Sequence, residues 1–135
     1  MFPAENRTKS RLRLLLTLLV ALLPIACGLT GPAAAVERFH HNIAEGRIEE
    51  ALGQIASESI EELGKDKLRT VLRSATKQVQ EKGGIKTSRI EKESFTGEVA
   101  AVTIYIEHGD GSSDFHDVDL VQEGGEWKIL FNFSK

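Results

Sequence analysis

Four histidines, one tyrosine and a run of aspartates are the side chains of this chain that could do chemistry. His116 is the most suggestive. It alternates with Val118 and Leu120 along a stretch of β character, so it faces whatever those two apolar residues face. If that is an interior, His116 is an imidazole set among hydrocarbon, where it can orient a ligand or take a proton. Asp114 shares that face, but an i, i+2 spacing on one strand separates the attachment points by about 7 Å. Asp117 and Asp119 alternate to the other face with Phe115 and Val121 and are expected in solvent. Tyr105, the sole tyrosine, could supply the phenol of an isomerase-type site, which also needs a buried protonated acid; no acid pairs with it by spacing. A catalytic set would therefore be His116, Tyr105 and Asp114. The structural role is the commoner one for such residues, and the non-catalytic reading is favoured.

The remaining candidates carry less. His40 and His41 are adjacent on a helical stretch, so their rings point to different faces and cannot share a metal as an i, i+4 pair could. His108 ends a strand before Gly109-Asp110-Gly111 and is expected to be exposed. Asp110 and Asp114 lack the ligand count and closing Glu of a calcium loop. There is no nucleophile elbow, phosphate-binding glycine loop or zinc spacing. No metal and no cofactor are expected.

The elements that must position these residues fall into two halves. Pro32 suits the first turn of a helix; Val36, Phe39 and Ile43 form its stripe, and Gly46 ends it. Ile48, Ala51, Leu52, Ile55, Ile60 and Leu63 form a second stripe that Gly53 could divide into two shorter helices. Gly64 closes it, and Asp66 is placed to cap a third helix carrying Leu68, Val71, Leu72, Ala75 and Val79 up to Gly83-Gly84. Four β-rich stretches follow, Ile85–Phe95, Glu98–His108, Ser113–Glu123 and Glu126–Phe133, joined by short glycine turns. Such connections predict an antiparallel meander. Within it, Val102, Ile104 and Ile106 share a face, as do Trp127, Ile129, Phe131 and Phe133. The fold class is α+β, with the helices covering the apolar face of a four-stranded sheet.

Ahead of the domain, Arg7, Lys9, Arg11 and Arg13 precede the apolar run Leu14–Cys27. A basic head before an apolar core is an export signal. The expected division is a signal peptide over 1–26, a lipidated Cys27 with a tether over 27–31, and the domain over 32–135. Pro24 stands where a lipoprotein signal usually has Leu. Cleavage after Ala35, giving a secreted or periplasmic protein, is one alternative; retention of the apolar segment as an anchor is another. All place the domain outside the cytoplasm, and Gly28 after the cysteine weakly favours an outer membrane where one exists. The whole chain carries a formal charge of −3, with four basic residues and one acid in the first 26, so the remainder holds 13 Lys+Arg against 19 Asp+Glu. An acidic domain repels phosphate backbones, which argues against nucleic acid as partner. The lone cysteine forms no internal disulfide.

Several short patterns resemble a known group. They are Val36-Glu37-Arg38-Phe39, Glu50-Ala51-Leu52, Gly97-Glu98-Val99-Ala100-Ala101-Val102 and the closing Gly125-Glu126-Trp127-Lys128-Ile129. Together they resemble the small bacterial lipoproteins of unknown function with a nuclear-transport-factor-2-like domain. The resemblance implies a cone, a curved antiparallel sheet wrapped around helices, often with a pocket in its mouth. That fold also serves isomerases and hydratases, so it does not choose a function. Two functions are expected to compete. The favoured one is a membrane-tethered, non-catalytic module that binds a small apolar ligand, a protein or a second copy of itself. His116, Tyr105, Trp127 and Phe131 would line its pocket or sheet face. The rival is an isomerase- or hydratase-like enzyme using His116 with Tyr105 or Asp114, which fails if Phe131 or Trp127 fills the cone.

Overall fold

The computed structural model describes residues 31–131. The expected signal peptide, Cys27, the expected tether up to residue 30, and Phe133 lie outside the described residues. Four helices precede four strands: α1 (Pro32–Ala44), α2 (Ile48–Gly53), α3 (Ser57–Leu63), α4 (Lys65–Glu81), then β1 (Ile85–Thr96), β2 (Val99–His108), β3 (Ser113–Glu123) and β4 (Glu126–Leu130). The strands form one antiparallel sheet in the order β1-β2-β3-β4, the expected meander.

The sheet is two-faced because its strands alternate. On β2, Ala100, Val102, Ile104 and Ile106 are buried; with Leu120 of β3 and Ile129 of β4 they make the sheet half of the core. The helices supply the other half: Ala35, Val36, Phe39 and Ile43 from α1, Ala51 and Leu52 from α2, Leu68 and Leu72 from α4. Val36, Leu68, Ile104 and Leu120 are wholly shielded. Strand β1 is an edge strand, mostly exposed, with register shifts between Ile85 and Thr87 and between Ile90 and Lys92. Such bulges bend a strand and raise its twist.

The second apolar stripe is two helices. Between α2 and α3, Ile55 pairs as a parallel bridge with Ile129, held by Ala56 N–H to Ile129 O (2.9 Å) and Ile129 N–H to Gln54 O (2.8 Å). Pairing with β4 there takes the amides that a continuous helix would have used. The third stripe starts earlier than expected. Helix α4 begins at Lys65 behind Gly64, and no side chain caps it; Asp66 lies in its first turn and pairs with Arg69 at 3.0 Å. Arg69 also reaches Glu49 at 2.7 Å, so this carboxylate joins an ion-pair group on α4 and α2 rather than capping.

Helix α4 ends in a Schellman motif. Gly83, at φ 85°, donates to Gln80 O (3.0 Å), and Gly84 N–H reaches Val79 O (2.9 Å). This turn packs against the β2–β3 hairpin through Gly109 N–H to Gly84 O (3.2 Å) and Asp110 N–H to Lys82 O (2.9 Å). The approach is so close that a Cβ on Gly109 would sit 2.3 Å from the Gly83 carbonyl oxygen. Gly109→Ala should therefore cost about 1–3 kcal/mol by forcing backbone apart, measured by urea denaturation. Gly111→Ala, in open space at φ 85°, should cost only the left-handed backbone strain of about 1–2 kcal/mol and leave the packing of α4 on the hairpin intact by amide hydrogen exchange.

Candidate functional site

A cavity of about 210 Å³ opens between α1, the C-terminal half of α4 and the inner face of the sheet. Its walls follow from the stripes. Phe39 and Ile43 come from α1, Val71, Leu72, Ala75 and Val79 from α4, and Ile85 and Ile106 from β1 and β2. Phe131, just after β4, lines it and packs edge-on against Phe39, with ring centroids 6.0 Å apart. The cone is therefore walled by Phe131 and left open. Polar side chains stand on the same lining: His40, Gln78, Lys82, His108, Asp114 and His116.

At one end lies a charged clasp. His108 is 2% exposed, against the expectation that it faces solvent. The reason is its register. Even-numbered β2 residues turn inward, and the α4–β1 turn closes over the strand end. Its Nδ1 donates to Gly84 O at 3.2 Å, and its Nε2 lies 2.9 Å from Asp114 Oδ2. Lys82 Nζ reaches the same oxygen at 2.7 Å. Hydrogen bonds from Lys82 and then His108 hold the Asp114 carboxyl below the usual range. Asp114 lines the same cavity as His116, as their shared strand face requires, but is bonded to Lys82 and His108 from other elements. Asp110, in the adjacent turn, accepts from the Ser112 amide (2.9 Å) and hydroxyl (2.6 Å), which lowers its pKa.

At the other side two imidazoles meet. His116 faces Ile104 across the β2–β3 ladder, so it does turn to the inner face, at the cavity mouth where its ring is still partly in solvent. His40 of α1 comes within 5.5 Å of it, ring to ring. Nδ1 of His40 lies 2.9 Å from the carbonyl of Val36, one turn back. A carbonyl only accepts, so Nδ1 carries the proton and Nε2 is the open position. Burial lowers the His40 pKa to about 4, outweighing the Val36 hydrogen bond, with His116 adding to the lowering. Burial also lowers that of His116, against the opposing pull of Asp114.

Tyr105 is elsewhere. Odd-numbered β2 residues point away from the helices, and Tyr105 packs on Phe115 (5.1 Å) beneath the Arg89 guanidinium (4.0 Å) on the outer face. It cannot join His116 in one site. Trp127 is also outside the cavity, edge-on to Phe95 at 6.2 Å. Sequence reading missed His40 and His108 as lining residues. The signal for His40 was present: it directly follows Phe39 and lies one turn from Val36, so it flanks the apolar stripe.

The model of the domain of unknown function DUF4878 matches residues 25–130. The chain belongs to the DUF4878 family. No curated protein matches it. Among solved structures, it is similar to a candidate NTF2-like transpeptidase from Campylobacter jejuni, with a TM-score of 0.67 at 17% identity over 76% of this chain and 100% of that one. It is also similar to a SEC-C motif containing protein from Rhodopseudomonas palustris, with a TM-score of 0.53 at 15% identity over 74% of this chain and 75% of that one. This DUF4878 domain thus has the NTF2-like fold, with helices followed by an open four-stranded antiparallel sheet.

The imidazole of His40 makes folding pH-dependent. Free histidine titrates near 6.5 and folded His40 near 4. Between those values the unfolded chain holds the extra proton, so stability is full above about pH 6.5 and falls as pH drops toward 4. A shift of this size corresponds to a loss of up to about 3 kcal/mol. Denaturant melts across that window should show the decline, and His40→Phe should flatten it.

Proposed function

We propose that this DUF4878 domain is a membrane-tethered, extracytoplasmic binding module that takes one small, mainly apolar ligand into the cavity between α1, α4 and the sheet. The observation that carries the reading is the open, mainly apolar cavity with a few polar side chains on its lining, the usual composition of a small-molecule site. The export signal, with Cys27 as the lipid acceptor, supports the tether.

The same lining argues against catalysis. An acyl-transfer site needs a nucleophile beside a base, and the cavity presents no serine, threonine or cysteine to His40 or His116. An isomerase-like reading needs a phenol or acid next to His116. Tyr105 is on the opposite face and Asp114 is bonded to Lys82 and His108.

Native mass spectrometry of the full-length chain recovered from membranes should show a noncovalent adduct that disappears under denaturing conditions. Ala75→Phe puts a ring into the cavity and should abolish the adduct while the fold is kept. An adduct of equal occupancy in this variant, or none in the wild type, overturns the reading. Cys27→Ser should move the protein from the membrane fraction to the soluble one. Persistence at the membrane would rule out a lipidated cysteine as the tether.

A further inference from the structure

We infer that the ligand is an uncharged molecule with a compact apolar body and one hydroxyl, whose proton is accepted by Nε2 of His40. This rests on the cavity being a ligand site and specifies its chemistry.

The first argument is the fixed tautomer. Val36 O holds the proton of His40 on Nδ1 at 2.9 Å, so Nε2 offers a lone pair. The second is vacancy of function. Among the described residues, Nε2 of His40 and both ring nitrogens of His116 have no hydrogen-bond partner in the protein, and the aromatic neighbours of the two rings are each other and Phe39. Two imidazoles at the mouth of an apolar cavity thus leave their polar atoms to whatever enters. Burial keeps His40 neutral and an acceptor.

The third argument is charge. A ligand carboxylate would need a free cation. Lys82, the lysine on the lining, is bonded to Asp114 at 2.7 Å, and His108 is bonded to the same oxygen at 2.9 Å. An anion would instead meet the His40 lone pair and the Asp114 carboxylate. A hydroxyl supplies the missing donor at no charge cost, and the remaining surface of Val71, Leu72, Ala75, Val79, Ile85 and Ile106 asks for hydrocarbon. A volume of about 210 Å³ suits one ring with a short alkyl arm.

The test uses three probes of one shape: para-ethylphenol, para-ethyltoluene and para-ethylbenzoate. Each is titrated at neutral pH into the full-length chain in lipid nanodiscs, with empty nanodiscs as the partition control. The phenol should bind about tenfold more tightly than the hydrocarbon, the worth of one net hydrogen bond, and the benzoate most weakly. Nitrogen NMR of histidine-labelled protein should show the His40 Nε2 signal shifting with the phenol and not with the hydrocarbon. His40→Phe should erase the phenol's advantage. Equal binding of phenol and hydrocarbon would overturn the donor inference and leave the cavity reading standing. Tightest binding by the benzoate would overturn it in favour of a cationic site. Binding of none of the three would overturn both. Should His40→Phe fail to fold, the nitrogen shift in the wild type decides.

Discussion

The inner row of β2, Val102, Ile104 and Ile106, has to be covered by hydrocarbon, and α1 covers it with Val36, Phe39 and Ile43. That contact sets much else. It fixes which β2 side chains look inward, and through the ladder it fixes the same choice on β3. A slip of one residue would turn every strand side chain to the opposite face. His116 would then leave the cavity and Phe115 would enter it. The site's chemistry is therefore a by-product of the register that buries the core.

Alternation and turn chemistry made the sheet readable in the sequence. Val102, Ile104 and Ile106 against Thr103 and Tyr105 specified the faces of β2, and the glycine turns specified a meander. The inward direction of His116 was readable too, because it alternates with Val118 and Leu120. What could not be read were contacts between elements far apart in sequence. The division of α2 from α3 depends on Ile55 finding Ile129, 74 positions later. The burial of His108 depends on the α4–β1 turn closing over the end of β2, and its pairing with Asp114 on the hairpin geometry. Local propensity has no term for either. Asp66 shows the reverse case: a good capping residue in the right place was drawn into an ion pair with Arg69, and the helix began ahead of it.

The two polar groups of the cavity differ in kind. At one end Lys82, His108 and Asp114 satisfy one another around a single carboxylate oxygen. That arrangement joins the end of α4 to two strands and leaves little for a ligand. On the other part of the lining, burial lowers the pKa of His40 and that of the less deeply buried His116. Among the described residues, Nε2 of His40 and both ring nitrogens of His116 have no hydrogen-bond partner in the protein. Satisfied charge positions the walls; the imidazole nitrogens left without a partner are the part that can discriminate.

Strand β1 has a consequence for how copies of this domain can meet. Its outer edge has no neighbour among the described strands, and an open edge is a template for another chain's backbone. Here the edge is interrupted by two bulges and studded with Lys86, Arg89, Glu91, Lys92 and Glu93. A second copy offering a straight strand would find its amides out of step and its side chains opposed by charge. Edge-to-edge pairing through β1 is therefore opposed even where copies of the domain are crowded together.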